Sequence, residues 1–186
     1  YLFSVLLIPL SFFFLEETKL NPVLSKDVLA SSKLLKILFL IGTLFMILFY
    51  LMPTQLPFLL KSIGINDPSY SGNALAINAL GIVCSSLLYS KIKQRISFLI
   101  VAWFSLLMMG TGYFLTGTSE TFEAILANVF LAGLGLGLFI ANLNFCILEL
   151  SSTEVRGKNM GILTACLFLG QFCSPIIAEP IVRNFN

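Results

Sequence analysis

Between Lys36 and Lys61 the chain reads KILFLIGTLFMILFYLMPTQLPFLLK, with no charge between the two lysines. As a helix that run is roughly 36 Å long, enough to cross a ~30 Å hydrocarbon core with some tilt. Its second half holds Pro53, Thr54, Gln55 and Pro57. A helix that only anchors a domain has little use for two prolines and an amide. In lipid, backbone groups freed by proline must be satisfied by neighbouring helices, hydroxyls or water, so such a segment packs against protein or lines a cavity. The run therefore reads as a cavity-lining helix of a membrane-embedded bundle.

The totals agree. Apolar residues make up 58% of the chain and charged residues 11%, against about 25% charged in soluble domains. A soluble helical protein would need polar helix faces, and long stretches here have none. The net charge of +2 gives no footprint for a nucleic-acid partner. There is no His, which removes the commonest metal ligand and the usual near-neutral proton carrier. Cys84, Cys146, Cys166 and Cys173 all fall inside apolar runs with no CxxC pattern, and read as small buried residues. Neither a metal nor a cofactor is expected.

Residues 1–15, YLFSVLLIPLSFFFL, are apolar but short of the ~20 residues a spanning helix needs. The chain starts at Tyr1 inside this run, and a signal peptide with a basic first segment is not the expected reading of it. The expectation is an internal piece of a longer protein whose first span is truncated; a buried re-entrant segment is the alternative. Residues 16–35 form the longest polar stretch, in which Val28, Leu29, Leu34 and Leu35 suit a short helix lying on the membrane surface. Further spans are expected at about 36–61, 72–90, 96–116, 122–148 and 160–182. If the spans alternate, the loops 16–35, 91–95 and 149–159 share one side. Of the 11 Lys and Arg residues, all but Lys61 and Arg183 then fall on that side. Loops rich in Lys and Arg stay cytoplasmic, so that side is assigned to the cytoplasm. The C-terminus then lies outside, and the chain looks incomplete at both ends.

No Asp, Glu, Lys or Arg sits at the centre of a span; Glu179 comes nearest, about one turn from an end, where an interfacial solvated acid is the plainer reading. Uncharged polar residues do recur at helical spacing. Thr43, Tyr50 and Thr54 share a face of the second span, with Gln55 to one side. Asn78, Gly81 and Ser85 align in the third. Asn128, Gly135 and Asn142 align in the fifth, with Gly133, Gly137, Ala141 and Asn144 on its opposite face. Thr164, Phe168, Gln171 and Pro175 align in the sixth. The fourth span, with Ser105, Thr111 and Trp103, looks peripheral. Four spans would thus turn amide, hydroxyl and aromatic groups to a common cavity. The competing reading is helix–helix glue, each bond contributing ~0.6–2 kcal/mol, and for a single asparagine it is the simpler one. Gly133, Gly135 and Gly137 lack the strand and lysine of a phosphate loop; Gly133-xxx-Gly137 reads as small-residue packing that lets a neighbouring helix approach.

FYLMPTQLPFLL at 49–60 and LGQFCSP at 169–175 resemble the seventh and eleventh helices of bacterial major facilitator superfamily transporters, the eleventh being the one whose N-terminal counterpart carries the antiporter motif. EVRGKNMGI at 154–162 looks like the cytoplasmic loop before it. LLYSKIKQR at 87–95 looks like the degenerate second copy of the basic loop motif, with Ser90 at the aspartate position, so an acid-dependent charge relay is not expected there. The resemblance implies an all-α polytopic membrane bundle. It would be the six-helix C-terminal half of a twelve-helix transporter, with the last helix missing and the first truncated, seated in a bacterial inner membrane. It implies alternating access, with the N-terminal half as partner and small-molecule substrate, bilayer and no nucleic acid as the other partner assignments. Helices seven, eight, ten and eleven would line the cavity, which are the spans with polar faces. Thr43, Tyr50, Thr54, Gln55, Asn78, Asn128, Asn142 and Gln171 are the cavity candidates, and Lys91, Arg95 and Arg156 the cytoplasmic gate candidates.

The neutral faces and the 18 Phe suit hydrophobic or amphipathic cargo, so proton-coupled efflux of drugs or metabolites is the expected function. Uptake of a sugar or other metabolite, or a non-transporting subunit of a larger pump, are the alternatives. A membrane-embedded enzyme would need a nucleophile, base or metal that these spans do not offer.

Overall fold

The computed structural model describes the backbone of residues 28–185 and the side-chain surroundings of residues 33–177. The apolar run 1–15, most of the polar stretch 16–35, and the side chain of Glu179 lie outside the described residues. Five helices follow one another: α1 (Val28–Ser62), α2 (Pro68–Lys93), α3 (Phe98–Gly117), α4 (Phe122–Leu150) and α5 (Arg156–Phe185). All five are long and apolar enough to cross a membrane.

Among the boundaries that differ from the sequence expectation, three change how a segment was read. α1 begins at Val28, so Val28–Leu35 continues the span instead of lying apart on the surface. No Gly or Pro separates VLASSKLL from the apolar run, and a helix once nucleated extends through such residues. At ~1.5 Å per residue this 35-residue helix overruns the apolar layer. Second, α2 runs on through Lys91 and Lys93, which occupy its last turn and complement the helix dipole. Third, Arg156 opens α5 rather than sitting in a loop.

The joints are encoded locally. α1 is closed off by Gly64, two residues past its end, the one described glycine with positive φ (87°). There the Gly64 N–H donates to the Lys61 carbonyl (3.1 Å) and the Ile65 N–H to the Leu60 carbonyl (2.9 Å), the bond pair of a Schellman cap. Asp67 then caps α2. Its carboxylate accepts from the Ser69 N–H (2.9 Å) and Pro68 fills the first helical position. That backbone bond holds the Asp67 carboxyl below its ordinary pKa. Thr121 caps α4 in the same way through the Ala124 N–H.

α4 is the most buried helix, with α2 and α3 packed on opposite sides, while α1 pairs with α5. Glycine spacing sets the first arrangement. A Cβ on Gly133 would meet the Asn78 carbonyl oxygen, and one on Gly137 the Ile82 carbonyl oxygen and Ser85 Oγ, all on α2. A Cβ on Gly135, half a turn round, would meet the Ser105 carbonyl oxygen of α3 at 2.6 Å. The close approach expected of Gly133-xxx-Gly137 is therefore present, and Gly135 supplies the second face. Gly170 plays this part between α5 and α1, against the Thr43 carbonyl oxygen. Phe45 of α1 stacks on Phe139 of α4 at 3.7 Å between ring centroids, joining the two groups through the core around Leu143 and Leu163. Outward, α3 presents Leu99, Trp103, Leu107 and Phe114, with Trp103 73% exposed, a face suited to lipid.

Candidate functional site

α1 passes through Pro53 and Pro57 without ending. Proline has no N–H, so Pro53 leaves the carbonyl four residues back without its ladder partner. That carbonyl belongs to Phe49, and the Tyr113 hydroxyl of α3 donates to it at 3.0 Å. Thr54 Oγ1 turns back onto the Tyr50 and Leu51 carbonyls, at 2.9 Å each. The Tyr113 hydroxyl thus stands in where Pro53 interrupts the ladder, as the sequence argument requires.

Beside this segment lies a cavity of ≈ 270 Å³ between α1 and α3. Leu51, Met52, Gln55, Leu56 and Leu59 line it from α1, and Tyr113, Thr116 and Gly117 from α3. It sits toward the C-terminal ends of α1 and α3, away from the Lys-rich ends of the bundle. None of the lining residues is charged. The Thr116 hydroxyl is committed to the Gly112 carbonyl (2.7 Å). Gln55 is half-buried, and its amide makes no hydrogen bond among the described residues. Its polar capacity is therefore available to something inside the cavity.

The other amides are placed differently. Asn78, 3% exposed, donates to the Val129 carbonyl (2.8 Å) and ties α2 to α4. Asn142, 1% exposed, accepts from the Tyr89 hydroxyl (2.9 Å) and donates to the Phe98 carbonyl (3.0 Å), joining α4 to α2 and α3. Asn128 donates to Ser119 Oγ (3.0 Å) across the α3–α4 turn. Gln171 Nε2 lies 3.9 Å from Met46 Sδ, and Ser174 donates to the Ile47 carbonyl (2.8 Å), both between α5 and α1. Thr43 bonds back to Phe39 within its own helix (3.0 Å). By helical spacing Thr43, Tyr50 and Thr54 lie on the side of α1 that carries Ile47 and faces α5. The cavity candidates therefore divide into three groups. Gln55 borders the cavity, Thr43, Tyr50, Thr54 and Gln171 follow the α1–α5 side, and Asn78, Asn128 and Asn142 hold α4 to its neighbours.

Among the gate candidates, Lys91 and Arg95 are exposed at the end of α2. Arg156 Nε donates to the Leu148 and Ser151 carbonyls, at 3.2 Å each, and so closes the C-terminus of α4. Asn159 adds a bond to Ser151 Oγ (2.7 Å). Lys93, not singled out from the sequence, lies over the Phe145 ring at 5.0 Å.

Sequence reasoning missed Tyr113 and Thr116 because the fourth span read as peripheral. The available signal was Tyr113 itself, a phenol in a lipid-depth helix that needs a partner for its hydroxyl.

A model of the Major Facilitator Superfamily matches residues 2–178. The chain belongs to this family. No curated protein and no solved structure matches it. As a major facilitator protein it is an integral membrane protein whose family carries out secondary transport of small molecules across membranes. In this major facilitator bundle, no His, Cys, Asp and Glu cluster able to hold a metal occurs among the described residues. The candidate chemistry is that of a neutral, largely apolar cavity whose one amide has no hydrogen-bond partner among the described residues.

Proposed function

We propose that this chain is the C-terminal half of a proton-coupled exporter of neutral amphipathic molecules, working by alternating access with an N-terminal half. The basic ends of the helices face the cytoplasm, with Lys91, Arg95 and Arg156 at the inner gate, and the cavity beside Gln55 belongs to the outer half of the bundle. The observation that carries the cargo class is the cavity wall, which has no charged group and one amide without a hydrogen-bond partner among the described residues. A sugar would need several convergent donors and acceptors, and an ionic solute a countercharge; this wall offers neither. Tyr50, Thr54, Thr43 and Gln171 form a second polar strip that cargo passes on the α5 side, while Asn78, Asn128 and Asn142 hold the frame that the cavity rests on.

The test is dye efflux from cells expressing the transporter with its N-terminal half, with and without a protonophore. Efflux should stop when the proton gradient collapses. Efflux that persists would remove the proton coupling, and uptake of a sugar without dye movement would overturn the cargo class. Gln55→Leu should weaken cargo affinity about five- to tenfold, the loss of one hydrogen bond, with membrane insertion intact. An unchanged half-saturating concentration would exclude Gln55 from the cargo path.

A further inference from the structure

We infer that Tyr113 is the positioning residue of a pivot in α1, latching the helix at the carbonyl that Pro53 leaves open. The inference concerns motion of α1 and does not depend on which cargo is carried. Before the pivot, α1 is held firmly. Gly42 packs against Leu143 of α4 and Leu163 and Leu167 of α5, the Thr43 carbonyl lies against Gly170, Phe45 stacks on Phe139, and Ser174 donates to the Ile47 carbonyl. The Tyr113 bond to the Phe49 carbonyl is the last of these tethers. Beyond it, among the described residues, no hydrogen bond runs from α1 to another helix. Met52, Leu56 and Leu60 reach Ala74, Ile125 and Val129 through apolar packing alone. Pro57 weakens the same stretch a second time, freeing the carbonyl of Pro53. On the side of Leu51, Gln55 and Leu59 there is open volume, ≈ 270 Å³, into which this half of the helix can move.

The latch is anchored on a different body from the one it holds. One residue before Tyr113, Gly112 lies against the Asn128 carbonyl and the backbone of Ala132, so the phenol is carried by the α3–α4 pair. A kink is located by a missing ladder bond; here a hydroxyl on another helix supplies that bond, and breaking it frees the far half of α1 while leaving α3 in place.

The experiment is a double-mutant cycle read by amide hydrogen exchange over residues 54–60 in the full transporter in detergent micelles. Tyr113→Phe keeps the ring and removes the donor. It should speed exchange in that segment about three- to tenfold, the worth of one hydrogen bond. Pro53→Ala restores a backbone N–H to the Phe49 carbonyl and should slow exchange. In the Pro53→Ala background, Tyr113→Phe should change exchange less than twofold, because the carbonyl no longer depends on the phenol. A loss of packing would act equally in both backgrounds, so equal acceleration in the two would overturn the inference. No acceleration by Tyr113→Phe with Pro53 present would overturn it as well.

Discussion

Gly137→Leu removes most of the folded protein, while Gly110→Leu leaves its yield and thermal midpoint where they were. Both substitutions place the same side chain in the middle of a spanning helix, so the changes in helix propensity and hydropathy match. They differ in what the new atoms meet. At Gly137 a Cβ alone runs into Ser85 Oγ and the Ile82 carbonyl oxygen, with the Ile82 Cα at 2.9 Å. Two of those atoms are backbone of α2, which can give way only by lifting the helix off α4. That would also break the Asn78 and Tyr89 bonds on either side. At Gly110 nothing lies within 4 Å. Overpacking in a core costs ~1–3 kcal/mol and sometimes more. Against the ~5–15 kcal/mol stability of a typical domain, a cost above ~3 kcal/mol at the central helix should be plain in size-exclusion recovery and thermal unfolding in mild detergent. Equal behaviour of the two variants would mean that α2 and α4 do not approach as closely as the structure places them.

The glycine spacing in LAGLGLGLF and the charge-free runs made α4 and the other four described spans legible in the sequence, because both depend on local pattern. Whether an asparagine or glutamine faces a cavity or a neighbour is a matter of rotation and partner, and neither is local. Asn78 and Asn142 lie on faces that helical spacing identified correctly, but those faces meet other helices. The partners Val129, Tyr89 and Phe98 sit some fifty residues away in sequence. The Pro53 segment was legible as a place needing outside help; that the help comes from Tyr113, on a helix otherwise turned toward lipid, was not. The ends of α2 and the first turn of α5 were hidden for a simpler reason. Charged and polar residues at a helix end look like loop until the continuing backbone ladder is seen.

Asn142→Leu and Gln55→Leu should separate stability from transport in opposite directions. Asn142 is enclosed, and its amide serves two helices at once. Replacing it strands the Tyr89 hydroxyl, 7% exposed at the residue level, and removes the tie to the start of α3. Interhelical polar bonds average ~0.6 kcal/mol in membranes, but an orphaned buried donor adds ~1–3 kcal/mol. The expected loss is therefore ~1–3 kcal/mol, seen as a lower thermal midpoint, with the cargo affinity of the surviving protein unchanged. Gln55→Leu should leave the midpoint unchanged or higher, since no protein partner is lost, and should show its effect in cargo affinity. The double variant Tyr89→Phe with Asn142→Leu distinguishes the stranded hydroxyl from lost shape. Removing both partners should recover part of the stability that Asn142→Leu loses, because replacing a hydrogen-bonded pair with apolar groups costs less than leaving one member alone. If the double variant is as unstable as the sum of the singles, the Asn142 side chain acts by filling space. If Asn142→Leu weakens cargo affinity at an unchanged midpoint, Asn142 returns to the transport path and the division between frame and cavity fails.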